Sequence, residues 1–77
     1  MSRPVKRSFT IAGHRTSISL EAAFWDALKA AATAERIPIG RLIGRIDAGR
    51  GASGLSSAVR VWVLQHYRES ARRAGRG

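Results

Sequence analysis

Arg15-Thr16-Ser17-Ile18-Ser19-Leu20 alternates strictly, with Ile18 and Leu20 on one side and Arg15, Ser17 and Ser19 on the other. A period of two marks a strand buried on one face and solvated on the opposite one. The segment from about residue 14 to 20 is therefore read as a strand, with Thr16 inward. Upstream, Phe9 and Ile11 alternate with Ser8 and Thr10, but their parity is opposite to that of Ile18 and Leu20. A straight strand from 8 to 20 would turn Phe9 and Ile11 onto the polar face. The register must reset, and Ala12-Gly13 is the place for it, as a bulge or a tight turn. Residues 8–11 are read as extended.

Downstream the period changes. Phe24, Trp25, Leu28 and Ala31/Ala32 recur at three- and four-residue spacing in an alanine-rich stretch, which predicts a helix over about 22–36. Glu21 and Asp26 sit near its start, where negative charge suits the helix dipole, and Pro38 stops it. Ile39, Leu42, Ile43 and Ile46 predict a second, shorter helix over 39–48, ended by the glycine-rich turn Gly49-Arg50-Gly51-Ala52-Ser53-Gly54. A third helix is expected over 56–69, N-capped by Ser56 or Ser57. Five of its six positions from Val59 to Leu64 are apolar, so more than one face needs cover. A partner chain would supply it.

The 77 residues make one small domain, and one short of buried core. Cysteine is absent, which removes disulfides and thiolate metal sites together, and His14 and His66 are too few for a metal cage. No metal and no cofactor is expected, and self-association is the expected stabiliser. Fourteen Lys+Arg against five Asp+Glu give a formal charge of +9, and twelve of the fourteen are arginine, whose planar fork suits phosphates and guanine edges. The charge is patterned. Arg3, Lys6, Arg7 and Arg15 stand before residue 21 with no acid, three of the five acids fall in 21–35, and basic residues dominate again to the end. No apolar run approaches the roughly 20 residues that cross a bilayer, and no signal-peptide core follows Met1–Arg7. A cytoplasmic, nucleoid-associated protein without membrane contact is expected.

A strand with small polar or basic residues on one face, then the Phe24-Trp25-x-x-Leu28 spacing, then Gly54-Leu55-Ser56-Ser57-Ala58 opening an apolar helix that carries Tyr67, resembles the MetJ/Arc/CopG ribbon-helix-helix superfamily. The likeness spans about residues 14–68. It is closer still to a bacterial ribbon-helix-helix group with an extra helical segment. The resemblance implies an α+β fold, a short N-terminal strand followed by two to three helices, and a homodimer whose strands pair as an intermolecular antiparallel ribbon lying in the DNA major groove. One departure matters: usual members pass from first to second helix through a short turn, whereas residues 37–53 here interpose another helix. The domain is expected over 8–69, between a flexible basic arm (1–7) and a basic frayed tail (70–77).

On this reading Arg15, Ser17 and Ser19 face the bases; an arginine forks to guanine, and serines read less decisively. Ser56 and Ser57, with the backbone N–H groups of the third helix, would clamp phosphate. Arg3, Lys6 and Arg7 would touch phosphates from the arm, and His14 from the ribbon end. Ile18, Leu20, Trp25, Leu28, Val59, Trp62 and Val63 form the expected dimer core, with His66 an interface histidine. Phe24, Trp25, Trp62 and Tyr67 could stack on single-stranded bases, but their helical spacing favours packing. No nucleophile elbow, zincin motif or P-loop is present, so no enzyme is expected.

The expected function is a sequence-specific dimer on double-stranded DNA that acts as a transcriptional repressor, able to assemble further there. The alternatives are the antitoxin of a toxin–antitoxin pair, against which the short basic end argues, and a non-specific architectural nucleic-acid-binding protein. A basic helix on a lipid surface would leave the strand without a purpose.

Overall fold

Ala12 and Gly13 both take positive φ, 52° and 82°, and between them reverse the chain in a two-residue turn. Such a turn matches the twist of the strands it joins. It lets Val5–Ile11 (β1) fold back on His14–Leu20 (β2) as an antiparallel hairpin, Val5 opposite Leu20 and Ile11 opposite His14. This pairing resolves the parity conflict, since an odd residue of β1 always faces an even residue of β2. Three helices follow: α1 (Ala22–Ala34), α2 (Ile39–Gly49) and α3 (Leu55–Gly75). The computed structural model describes residues 3–75.

One face of the hairpin closes the core. Ile11, Ile18 and Leu20 are buried there, Phe9 packs beside them, and Trp25, Leu28, Leu42, Ile43, Ile46, Val59 and Val63 come down from the helices. Trp25 fills the space under β1. Its indole Nε1 donates to the Val5 carbonyl at 2.9 Å, and its ring lies 5.9 Å from that of Phe9. The second helix reaches β1 through small residues, for Gly40 and Gly44 look onto the Phe9 and Ile11 side chains. At the end of α1 the Ile37 N–H bonds the Ala32 carbonyl and the Arg36 N–H that of Thr33, with Arg36 at φ 58°. This left-handed cap turns the chain into α2.

The α+β order of strand and helices is as expected, but several details differ. The strand 14–20 is not alone, because β1 pairs with one of its edges inside the same chain, so that edge needs no second copy. β1 starts at Val5, so Lys6 and Arg7 belong to the sheet rather than to a flexible arm. Ile18, Leu20, Trp25, Leu28, Val59 and Val63, expected to be covered by a partner, are buried within one chain, and Trp62 is half-buried. The cover comes from β1 and α2. The third helix begins one residue early, and Gly54, not Ser56 or Ser57, gives the carbonyl that accepts the Ala58 N–H. It also runs on through Ser70–Gly75, the stretch expected to fray, while Met1, Ser2, Arg76 and Gly77 lie outside the described residues.

Candidate nucleic-acid interface

The face of the hairpin turned away from the core is polar throughout. Register places Lys6 beside Ser19, Ser8 beside Ser17 and Thr10 beside Arg15 on this face. Five of these six side chains are exposed and Ser19 is half-buried. Ser8 and Ser17 stand Oγ to Oγ at 3.4 Å across the strands. Arg15 and Lys6 supply the positive charge. Among the described residues the ion pairs engage Arg45 with Glu35, Arg50 with Asp47, Arg60 with Glu21, and Arg72 and Arg73 with Glu69. None of them neutralises Lys6 or Arg15.

The edge of β2 carries further information. In an antiparallel pair, hydrogen-bonded and non-bonded positions alternate. The two-residue turn makes Ile11 and His14 a bonded pair, so Thr16, Ile18 and Leu20 turn their backbone groups to β1. Arg15, Ser17 and Ser19 turn theirs outward. Those of Ser19 are satisfied by α3: its N–H donates to Ser56 Oγ at 3.1 Å, and its carbonyl accepts from Arg60 at 3.3 Å. Nothing in the described residues meets the outward groups of Arg15 and Ser17.

Arg60 was not singled out by the sequence, yet it joins three elements. Its guanidinium also donates to the two carboxylate oxygens of Glu21 at 3.1 and 3.4 Å and lies 6.0 Å from the Phe24 ring centre. The Glu21 carboxyl is held below its ordinary value, first by a hydrogen bond from its own backbone and then by Arg60. An arginine on an apolar helix looks like surface charge until its acid, thirty-nine residues earlier, is placed beside it.

The remaining expected contacts divide. Arg3 is exposed just ahead of β1, and Ser57 is exposed in the first turn of α3. Ser56 is half-buried, its hydroxyl already engaged by Ser19. Arg7 and His14 share the core-side parity: Arg7 pairs with Ile18 and lays its guanidinium 5.4 Å from the Trp25 ring centre, away from Arg15 and Ser17. His14 is exposed beside the turn.

An apolar surface adjoins this edge. Val61 is 49% exposed, Leu64 56% and Tyr67 42%, and with Phe24 and Arg60 they border a shallow depression. Tyr67 is anchored through its hydroxyl, which donates to the Ala27 carbonyl at 3.2 Å. His66 is half-buried and stacks on Trp62 at 4.8 Å. A second cleft of about 320 Å³ opens between α2 and α3, but its arginines, Arg45 and Arg50, are those already paired with acids. No cluster of metal-ligating side chains occurs among the described residues, and no helix there is long and apolar enough to cross a membrane.

Comparison with curated proteins and with solved structures returned no match. The ribbon-helix-helix domain family, whose members generally bind DNA as transcription regulators and are not enzymes, matches residues 4–67. That span begins just before β1 and ends at the tyrosine anchored on α1, so it takes in the hairpin, both shorter helices and the packed part of α3. The chain belongs to the ribbon-helix-helix domain family.

Proposed function

We propose that the protein is a homodimeric, sequence-specific DNA-binding repressor that reads the major groove with a two-stranded β-ribbon, one strand from each copy. The observation that carries this reading is the outer face of the hairpin, polar at every position and bearing Lys6 and Arg15 outside any ion pair of the described residues. A flat β-ribbon with small side chains can approach base edges closely. Arg15 forks to a guanine, Ser17 and Ser19 bond neighbouring bases, and Arg3, Lys6 and Ser57 touch phosphates. Arg7, His14 and Ser56, for the reasons of placement given above, have lesser parts.

Two features support the dimer. The outer edge of β2 has unmet backbone groups at Arg15 and Ser17, a template for another strand. The exposed Val61, Leu64 and Tyr67 adjoin it, because Arg60 touches both the Ser19 end of that edge and the apolar surface. A second copy paired along β2 would cover both at once.

Selection of sites from random duplex DNA, followed by binding to the selected site and to a scrambled one, tests the reading. Arg15→Ala should cost about 1–3 kcal/mol on the selected site and much less on the scrambled one. Equal losses on both would make the protein a general coat for DNA rather than a reader of it.

A further inference from the structure

The structure points to a division of labour between the two strands: β1 flanks a four-stranded, DNA-facing sheet in the dimer, and its Lys6, Ser8 and Thr10 grip the phosphate backbones while β2 alone enters the groove. This rests on the dimeric DNA-binding reading and adds to it where the strand stands and what it touches.

The pairing comes first. Only Arg15 and Ser17 offer outward backbone groups on β2, because those of Ser19 are held by Ser56 and Arg60. Two copies related by a twofold axis use both positions by setting Arg15 against the partner's Ser17, and reciprocally. The axis then passes between the two Thr16 residues, which form a non-hydrogen-bonded pair with Cα atoms about 4.5 Å apart. Pairing through β1 instead would leave Val61, Leu64 and Tyr67 in water. β2 therefore lies at the centre and β1 on each flank.

Width then decides the roles. Strands lie about 4.8 Å apart, so the outer two of four are separated by about 14 Å. The major groove is about 12 Å wide. The central pair fits within it and the flanking pair does not. The side chains of β1 on this face are a lysine and two hydroxyl residues, Lys6, Ser8 and Thr10, all exposed. At the groove walls they meet phosphate oxygens, which such groups bond without regard to sequence.

The test joins a covalent probe of the sheet with binding. The chain has no cysteine, so a single introduced thiol reports on its own position. Thr16→Cys should form a disulfide-linked dimer on mild oxidation, since the expected Cα separation suits the bond, whereas Ser8→Cys should not. The reverse pattern, or no cross-link from either, overturns the four-stranded arrangement. In the binding arm, Lys6→Ala should weaken selected and scrambled duplexes by the same factor and lower the slope of log K against log salt by about 2 for the two copies. Ser8→Ala with Thr10→Ala should likewise weaken both duplexes without altering base preference. A change of base preference, or no weakening, overturns the role given to β1. If the unaltered protein fails to bind duplex DNA or to prefer the selected site, the underlying reading has failed, and the cross-links still report the sheet.

Discussion

Replacing Ala12 with glycine should stabilise the protein, for a reason that lies wholly in the backbone. Ala12 is exposed and sits at φ 52°, in the left-handed region that costs a residue with a Cβ roughly 1–2 kcal/mol. Glycine relieves that cost but brings back about 0.5–1 kcal/mol of unfolded-chain entropy. The net gain is about 0.5–1 kcal/mol. In a chain of this size 1 kcal/mol corresponds to about 4–8 °C in melting temperature, so Ala12→Gly should raise it by a few degrees. Gly13→Ala should lower it, since Gly13 is at φ 82°; a Cβ there meets nothing within 4 Å, so the loss would be conformational, not a clash. Thermal unfolding followed by circular dichroism at several concentrations measures both. If residues 5–20 ran as one continuous strand, Ala12 would lie in extended backbone, where glycine destabilises. A fall in melting temperature for Ala12→Gly would refute the hairpin.

Other substitutions probe the core, the dimer and the Arg60 junction. Ile18→Ala removes a side chain with no exposure in a single chain and should cost about 2–5 kcal/mol, read as a lower urea midpoint even at high dilution. Leu64→Glu alters an exposed site and should change the stability of one chain by no more than about 0.5 kcal/mol. It should nevertheless shift sedimentation from twice 8.3 kDa to 8.3 kDa, and persistence of the dimer would remove α3 from the interface. Because the Glu21 carboxyl is lowered in the folded chain, its stabilisation is complete above the ordinary carboxylate value and lost as pH falls below that value through the lowered one. Glu21→Gln should flatten that part of the stability–pH curve, and superimposable curves would show that the Arg60 junction adds nothing.

Much of this architecture is legible in short stretches of sequence. The alternation of Arg15 to Leu20 locates β2, and the parity clash with Phe9 and Ile11 demands a break at Ala12-Gly13, where the turn stands. The apolar spacing from Phe24 to Ile46 gives α1 and α2 within two residues of their observed ends. These are properties of neighbouring residues, since a strand repeats every two positions and a helix every three or four. The beginning of β1 was hidden because Arg7 occupies a core-side position. Its guanidinium rests against Trp25, and no local pattern shows that an arginine has an aromatic ring eighteen residues later. The extent of self-cover was hidden for the same reason: Ile18 and Leu20 look like surfaces in need of a partner until β1 and α2 are folded over the core.

The interface divides along the same line. That Arg15, Ser17 and Ser19 share a polar face follows from their spacing alone. That Lys6, Ser8 and Thr10 extend this face, while Arg7 and His14 lie on the opposite one, depends on the register of the hairpin. That the outer edge of β2 is closed at Ser19 and open at Arg15 and Ser17 depends on where α3 docks, through Ser56 and Arg60. Sequence determined which residues can form a strand, a helix or a turn, because those choices rest on local sterics and on apolar periodicity. Only the tertiary structure decided which backbone groups and apolar side chains remain uncovered, because cover is supplied by residues some forty positions away, and their arrival is a matter of packing rather than of pattern.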